Sequence, residues 1–314
     1  MEQVKIISLR EDEIRDIGDA FAYYEYENSE FGMGYLAKNR QASEEMMDAK
    51  RIKPLLNGSA ETMLQSFYAR AMYSKNPNNR FKDAKAEEIV SKLDYDFGKA
   101  AKDSAMSGGV IARTVVFDEL VGDFIEKYPD CTVVNIACGL DTRFYRMDNG
   151  KLTWYNIDLP ETIEVRDSVY HESGRISTIG CSAFDPAWAE KVKVRGRMLF
   201  VIEGLTMYLT GDQVKQMLGI IRDNFDNAYV MMECICPKFI NKENVEKSIQ
   251  STGAVFTWGA NCFDELGSIG EGFRKVKDDN ILRGMPMVNP AFQLITWLPF
   301  LKKVAQKILI FEKI

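Results

Sequence analysis

The chain has 314 residues, 46% of them hydrophobic, and carries 46 acidic against 40 basic side chains for a formal net charge of -6. That length supports a large core in one elaborated domain or two, and the acidic balance argues against a protein whose main task is gripping nucleic acid, which needs a basic face. No apolar run approaches the ~18 residues of a membrane helix, and the N-terminus lacks an apolar core of signal-peptide length, so a cytoplasmic protein off the membrane is expected.

Residues 1 to about 50 are polar and charged, with aromatic side chains at Phe21, Tyr23, Tyr24 and Tyr26. Helix formers from Ser43 to Lys53 predict a short helix before Pro54. In SAETMLQSFYARAMY, Met63, Phe67 and Ala71 share one helical stripe behind a candidate N-cap, Ser59. A loop marked by Asn-Pro leads to a helix from about Asp83 to Leu93. These helices cannot easily make a core alone and are expected to cover a sheet. From Gly108 to Tyr128, Val110, Phe117, Val121, Phe124 and Tyr128 recur mostly at three- and four-residue spacing, predicting an amphipathic helix that Pro129 stops.

Strands then alternate with helices. Val133 to Ala137 is a β-branched apolar run, Thr153 to Pro160 the next, followed by a helix from Glu161 to Val169 and a short strand within RISTIG. A fourth strand runs from about Met198 to Ile202. Thr210 with Gln213 forms a capping-box pattern ahead of a helix bearing Val214, Met217, Leu218, Ile221 and Phe225 on one face. AYVMMECI is a fifth strand. The remainder predicts a helix near Phe263 to Leu266, a strand near Phe273 to Val276, an irregular stretch from Gly284 to Pro299 and a last strand, KILIFEKI. This alternation gives an α/β fold with a mostly parallel sheet covered on both faces.

The six cysteines include no C-x-x-C pair and read as buried small apolar groups. With one histidine, His171, a His-rich metal site is excluded, and its setting in YHESGR reads as a solvated loop.

The chemistry gathers at VVNIACGLDTRFYR. An apolar strand that stops at Gly139 opens a strand-turn-helix ligand site, because glycine lets backbone approach a cofactor that a Cβ would block. Asp158 lies at the end of the next strand, where a nucleotide-type cofactor has its ribose hydroxyls bound. A dinucleotide fingerprint needs three glycines, and the positions here read Ala137, Gly139 and Thr142; a Walker-type phosphate loop is absent. An adenosyl-cofactor site remains.

NIACGLDTRFYR, NIDLPETIEVR, SAFDPAW and FVIEGLTMYL, in that order and spacing, resemble the leucine carboxyl methyltransferase family, and its bacterial branch of polyketide O-methyltransferases of the tetracenomycin type above all. YARA at Tyr68 to Ala71 and ARTVVFDELV at Ala112 to Val121 look like upstream motifs of that family. The sequence departs from the pattern at Ala137, the first small position, and at Asn135, where methyltransferases of this fold often carry an acid.

The resemblance implies a Rossmann-like class I methyltransferase with a seven-stranded sheet, a helical N-terminal cover over residues 1-107 and a catalytic domain over 108-314 with a substrate-side insertion near 257-299. It implies S-adenosylmethionine as cofactor. Gly139, with Ala137 as small neighbour, would lie against the methionine part, Asp158 would accept from both ribose hydroxyls, and Arg113 would pair with the cofactor carboxylate. Ser182 and Ala183 stand where the family binds the adenine edge, while Asp185 either joins them or caps the following turn. Glu203 would hold the amino group or face the sulfonium, and Tyr208 either shapes the acceptor pocket or packs the helix. Glu203 and Tyr208 are the residues placed nearest the reaction. Asp141 and Arg143 would brace the turn, and Arg70 is a second candidate for an anionic group. No metal is implied. Trp258, Phe263, Phe273 and Trp297 line the acceptor pocket or belong to the core. The acceptor would be a small molecule bearing a carboxylate or hydroxyl; a protein C-terminal carboxylate and a non-catalytic cofactor-binding module are the alternatives.

Overall fold

Runs of β-branched and long apolar residues form the centre of one sheet. In the computed structural model, which describes residues 52–54, 59–98, 104–240, 255–294, 296 and 298–314, the strands are β1 (Thr132–Ile136), β2 (Thr153–Asp158), β3 (Ile176–Gly180), β4 (Met198–Ile202), β5 (Ala228–Cys234), β6 (Phe273–Asn280) and β7 (Lys307–Lys313). Their order is β3-β2-β1-β4-β5-β7-β6. Strands β1 to β5 run parallel, and β7 is antiparallel to both of its neighbours. Every residue of β1 and β4 is buried, as strands covered on both faces must be. The strand order reverses between β1 and β4, and the crevice at their carboxyl ends is where open α/β sheets receive ligands.

The helices are α1 (Ser59–Lys75), α2 (Ala84–Val90), α3 (Ser104–Lys127), α4 (Arg143–Met147), α5 (Pro160–Val169), α6 (Ala187–Lys191), α7 (Gly211–Asn224), α8 (Met285–Val288) and α9 (Pro299–Val304). α3 lays Val116, Phe117, Leu120, Val121, Phe124 and Ile125 against Val133, Leu199, Val201 and Ile310 on one face of the sheet. α7 covers the other with Val214, Met217, Leu218 and Ile221. Each fully buried Leu, Ile or Phe contributes about 1.5–3 kcal/mol, so these two layers, and not the polar network described below, hold the centre together. α1 and α2 pack through Leu64, Phe67, Ala71, Ala86 and Ile89 into a cluster that continues to Leu140, Val165 and Tyr170. They therefore cover the turn after β1 as well as each other.

The capping box at the start of α7 is present: Gln213 N–H donates to the Thr210 hydroxyl and Thr210 N–H to Gln213 Oε1. Asp83 is the N-cap of α2 and its carboxylate accepts from Ala86 N–H. The helix expected up to Lys53 lies outside the described residues as far as Arg51, and Ile52 instead bridges Leu93. The N-terminal aromatic cluster also lies outside them. β6 runs four residues past Val276, where pairing with β7 continues to Asn280 and the buried Asp279 is held by Lys277 and Arg283. Residues Phe263–Gly270 form 3-10 turns broken at Gly267, whose φ is +53°. The stretch from Gly284 contains α8 and a 3-10 turn at Pro290–Leu294.

Residues 52–314 form one compact unit. The division expected at 107/108 falls inside it, within α3, because the helices before that point share a cluster with Leu140 and α5. Among the described residues, no helix is long and apolar enough to cross a membrane.

Gly284, ahead of α8, lies so close to α3 that a Cβ would collide with the backbone carbonyl of Ala112, the neighbour of Arg113. Gly284→Ala is expected to destabilise the protein by about 1–3 kcal/mol, the usual range for overpacking, seen as a lowered midpoint in thermal unfolding.

Candidate active site

β1 ends in a turn that L residues seldom adopt. Ala137 and Gly139 have φ of +56° and +48°. A Cβ on Gly139 would lie 3.1 Å from Met63 Sδ of α1, so the close approach expected at this glycine is made to α1. The carbonyls that follow point into the protein. Arg166 Nη1 donates to Gly139 O and Asp141 O, each at 2.9 Å. Leu140 O accepts from the Tyr170 hydroxyl at 3.0 Å and from Arg70 Nη2 at 3.2 Å.

Asp158 sits at the tip of β2, where its Oδ2 accepts from Gly139 N–H and its Oδ1 from Leu159 N–H, both at 2.8 Å. Burial pushes its pKa up, against the lowering effect of those two N–H groups. A carboxylate accepts about four hydrogen bonds, and the side chain is only half-buried. Beyond these bonds and a side-chain contact with Thr162, it retains acceptor capacity.

Ser182 and Ala183 leave β3 beside that tip, since Cys181 N–H donates to Asp158 O at 2.8 Å. The Ser182 hydroxyl accepts from Phe184 N–H at 3.3 Å, and Ala183 O accepts from Trp188 Nε1 at 3.3 Å. Of the two readings for Asp185, the cap is the one adopted: its exposed carboxylate accepts from Ala187 N–H at 2.9 Å.

Across the crevice, Glu203 follows β4. Its Oε1 is 2.8 Å from Arg113 Nε and its Oε2 is 2.7 Å from Arg143 Nη2. The two residues assigned to opposite ends of an amino-acid group thus meet each other. Glu233, fully buried on β5, lies 3.5 Å from Arg113 Nη1 and accepts from Gly204 N–H at 2.6 Å. Arg143 also binds Asp118 at 2.7 Å and Asp141 at 2.8 Å, so the expected Asp141–Arg143 brace is present. Burial raises the pKa of Asp141, but Arg143, Arg70 and Arg146 together hold it down at about 2. Asn135, the departure on β1, donates its amide to Asp141 Oδ2 at 2.9 Å. It props the turn.

Arg70 is no free anion hook: it is buried, 3.4 Å from Asp83, and bound to Leu140 O. Tyr208 lies in a 3-10 turn with its ring 5.5 Å from that of Phe256, in a cluster with Met207 and Ile235. Phe273 is buried in the core below α7, and Trp258 and Phe263 pack against it; Trp297 lies outside the described residues. His171 is exposed. Five cysteines are buried, and Cys262 is half-buried. Among the described residues, no group of His, Cys, Asp and Glu side chains is placed to hold a metal ion.

Sequence reasoning missed Arg166, Glu172, Asp118, Arg146 and Glu233. Two left a signal. Arg166 falls on the buried stripe of α5 with Thr162, Ile163 and Val169, and Glu233 is the one acid in the run AYVMMEC. A charge on an apolar face marks a partner elsewhere in the fold.

Ala137 holds a conformation that costs an L residue about 1–2 kcal/mol, against a glycine entropy penalty of about 0.5–1 kcal/mol. Ala137→Gly is therefore expected to stabilise the protein by a net amount of about 0.5–1 kcal/mol, read as a raised unfolding midpoint.

A profile of the leucine carboxyl methyltransferase family matches residues 56–222. The tetracenomycin polyketide synthesis O-methyltransferase TcmP of Streptomyces glaucescens is 34% identical over 208 residues, 65% of this chain and 76% of that protein. The S-adenosyl-L-methionine-dependent methyltransferase dpfgK of Gibberella zeae is 29% identical over 229 residues, 66% and 76% of the two chains. A DUF574 family protein from Streptomyces avermitilis shares the fold with a TM-score of 0.53 at 10% identity, covering 79% of this chain and 97% of that one. For a candidate methyltransferase from Thermobifida fusca the values are 0.50, 13%, 73% and 92%. The sheet is that of the Rossmann-like class I methyltransferases, and the chain belongs to the leucine carboxyl methyltransferase family.

Proposed function

We propose that this protein transfers a methyl group from S-adenosylmethionine to an oxygen of a polyketide-like small molecule, either a carboxylate or a hydroxyl. The observation that carries the reading is Asp158, half-buried at the tip of β2 and hydrogen-bonded to the N–H of Gly139. Its spare acceptor capacity suits a vicinal diol, and the positive φ of the turn suits backbone laid against a ligand. These residues fit an adenosyl cofactor.

When bound, the cofactor supplies a methyl already activated on a sulfonium sulfur. The chain's part is to bind and align. Asp158 takes the ribose hydroxyls, and Ser182 with Ala183 borders the adenine. Arg113 and Glu203, paired across the crevice, would exchange each other for the carboxylate and ammonium of the methionine group, a trade of like interactions that costs little net charge separation. Tyr208 and its aromatic neighbour Phe256 flank the acceptor side. In-line displacement needs alignment and exclusion of water more than proton transfer. A carboxylate acceptor is ionised at neutral pH and asks for no base, which accords with a site in which Asp118, Asp141 and Glu203 are bound to arginines. The reading places the protein in the cytoplasm, acting on small molecules, with 257-299 on the acceptor side.

Calorimetric titration with S-adenosylhomocysteine, with NAD as control, tests this. Micromolar-range binding of the former alone, lost in Asp158→Ala, is expected; binding of NAD alone, or of neither, sinks the reading. Turnover in a panel of polyketide-like acids and phenols separates a transferase from a binding module, and methylation confined to a peptide C-terminus would move the acceptor to a protein.

The pH dependence has a definite sign. Asp158 binds donors as its anion, and its pKa is raised above the ordinary 3.8, so protonation on acidification removes the acceptor. Wild-type affinity should fall on lowering the pH, beginning above the ordinary carboxylate range, while Asp158→Asn binds weakly with a flatter profile. An equally steep decline in that variant would assign the titration elsewhere.

A further inference from the structure

Arg166 is a closely engaged cation that the proposed chemistry does not use. Its side chain is fully buried. Nη1 bridges Gly139 O and Asp141 O, Nε and Nη2 form a two-pronged pair with Glu172 at 3.0 and 2.5 Å, and the guanidinium lies 4.3 Å from the Tyr170 ring centroid. Glu172 is itself almost fully buried and accepts from Asn156 at 3.4 Å and from the Tyr145 hydroxyl at 3.2 Å. Burying an ion pair costs several kcal/mol per ion before its attraction is counted, and apolar packing often does as well. For stability alone the arrangement is an expensive choice.

Its geometry suggests what it does instead. Gly139 is held at its N–H by Asp158 and at its carbonyl by Arg166. Both partners belong to one continuous piece of chain, because Asp158 ends β2 and α5 begins two residues later with Leu159 as N-cap. One turn beyond Arg166, Tyr170 holds the next carbonyl, Leu140 O. A turn with a strained alanine keeps its shape only if its surroundings over-determine it. The segment Asp158–Tyr170 does so while carrying the carboxylate proposed for the ribose.

We propose that Arg166, anchored by Glu172, is a positioning residue that fixes the spacing between the glycine turn and Asp158 and thereby sets affinity for the nucleoside half of the cofactor. The inference rests on the adenosyl-cofactor reading above. Lysine cannot replace it, since a single ammonium cannot bridge two carbonyls and grip a carboxylate two-pronged in one plane.

The test uses the full chain and two probes, S-adenosylhomocysteine and 5′-methylthioadenosine, which lacks the amino-acid group. Arg166→Lys should weaken both by about tenfold or more, the scale of one lost charged hydrogen bond, and Glu172→Gln should weaken both in the same sense. Arg113→Gln, by contrast, should weaken S-adenosylhomocysteine far more than methylthioadenosine. Met217→Ala, in the core under α7, is the control for lost stability and should leave both affinities unchanged. If Arg166→Lys does not fold, Glu172→Gln decides. Wild-type affinities in Glu172→Gln and in any folded Arg166→Lys protein would overturn the proposal, as would an equal loss in Met217→Ala at a matched drop in melting temperature. A wild type that binds neither probe overturns the cofactor reading itself, so the two failures are distinguishable.

Discussion

A fully buried guanidinium that touches three carboxylates sets the frame on which the crevice depends. Arg143 joins Asp118 on α3, Asp141 in the turn after β1 and Glu203 at the exit of β4. Each of those elements contributes a residue to the crevice. Taking this cation out of water is costly, and removing one carboxylate would leave charge uncompensated in a poor solvent for it. The three elements are therefore held in one mutual arrangement, to which Arg146 adds bonds to Asp118 and Asp83.

The division of labour between apolar and polar contacts follows from where each is found. Two apolar layers clamp the sheet, while ion pairs crowd the carboxyl ends of β1 and β4, where the chain must stop being sheet and still hold its shape. Turns cannot bury enough apolar surface to fix themselves, and a charged hydrogen bond is directional where packing is not. The three carbonyls of residues 139 to 141 illustrate this, each drawn to a donor on α1, on α5 or at its end.

The parts of this fold legible in the sequence were those whose physics is local. β4 was read to its ends because a strand buried on both faces is a continuous apolar run, and α7 because a capping box is written within four residues. The turn at Gly139 and the acid at Asp158 were visible from spacing. What escaped was long-range. The tail of β6, beyond Val276, was not read as strand because its stability comes from pairing with β7, not from its own side chains. Arg70 looked free because its partners, Asp83 and Leu140 O, are fixed only by tertiary packing. Arg166 was seen only as part of a motif.

α1 has a part in the site that neither its composition nor its position before the sheet announces. Near its start Met63 rests on Gly139, and near its end the Tyr73 hydroxyl donates at 2.7 Å to Met287 O of α8. Ten residues of α-helix separate these contacts, about 15 Å along the axis. Each residue added or removed between them would turn one contact about 100° away from its partner. The helix works as a fixed-length strut between the turn after β1 and the chain segment that leaves β6. Evolution can lengthen that segment or change its side chains, but any change in the number of residues between Met63 and Tyr73 would disturb both contacts at once.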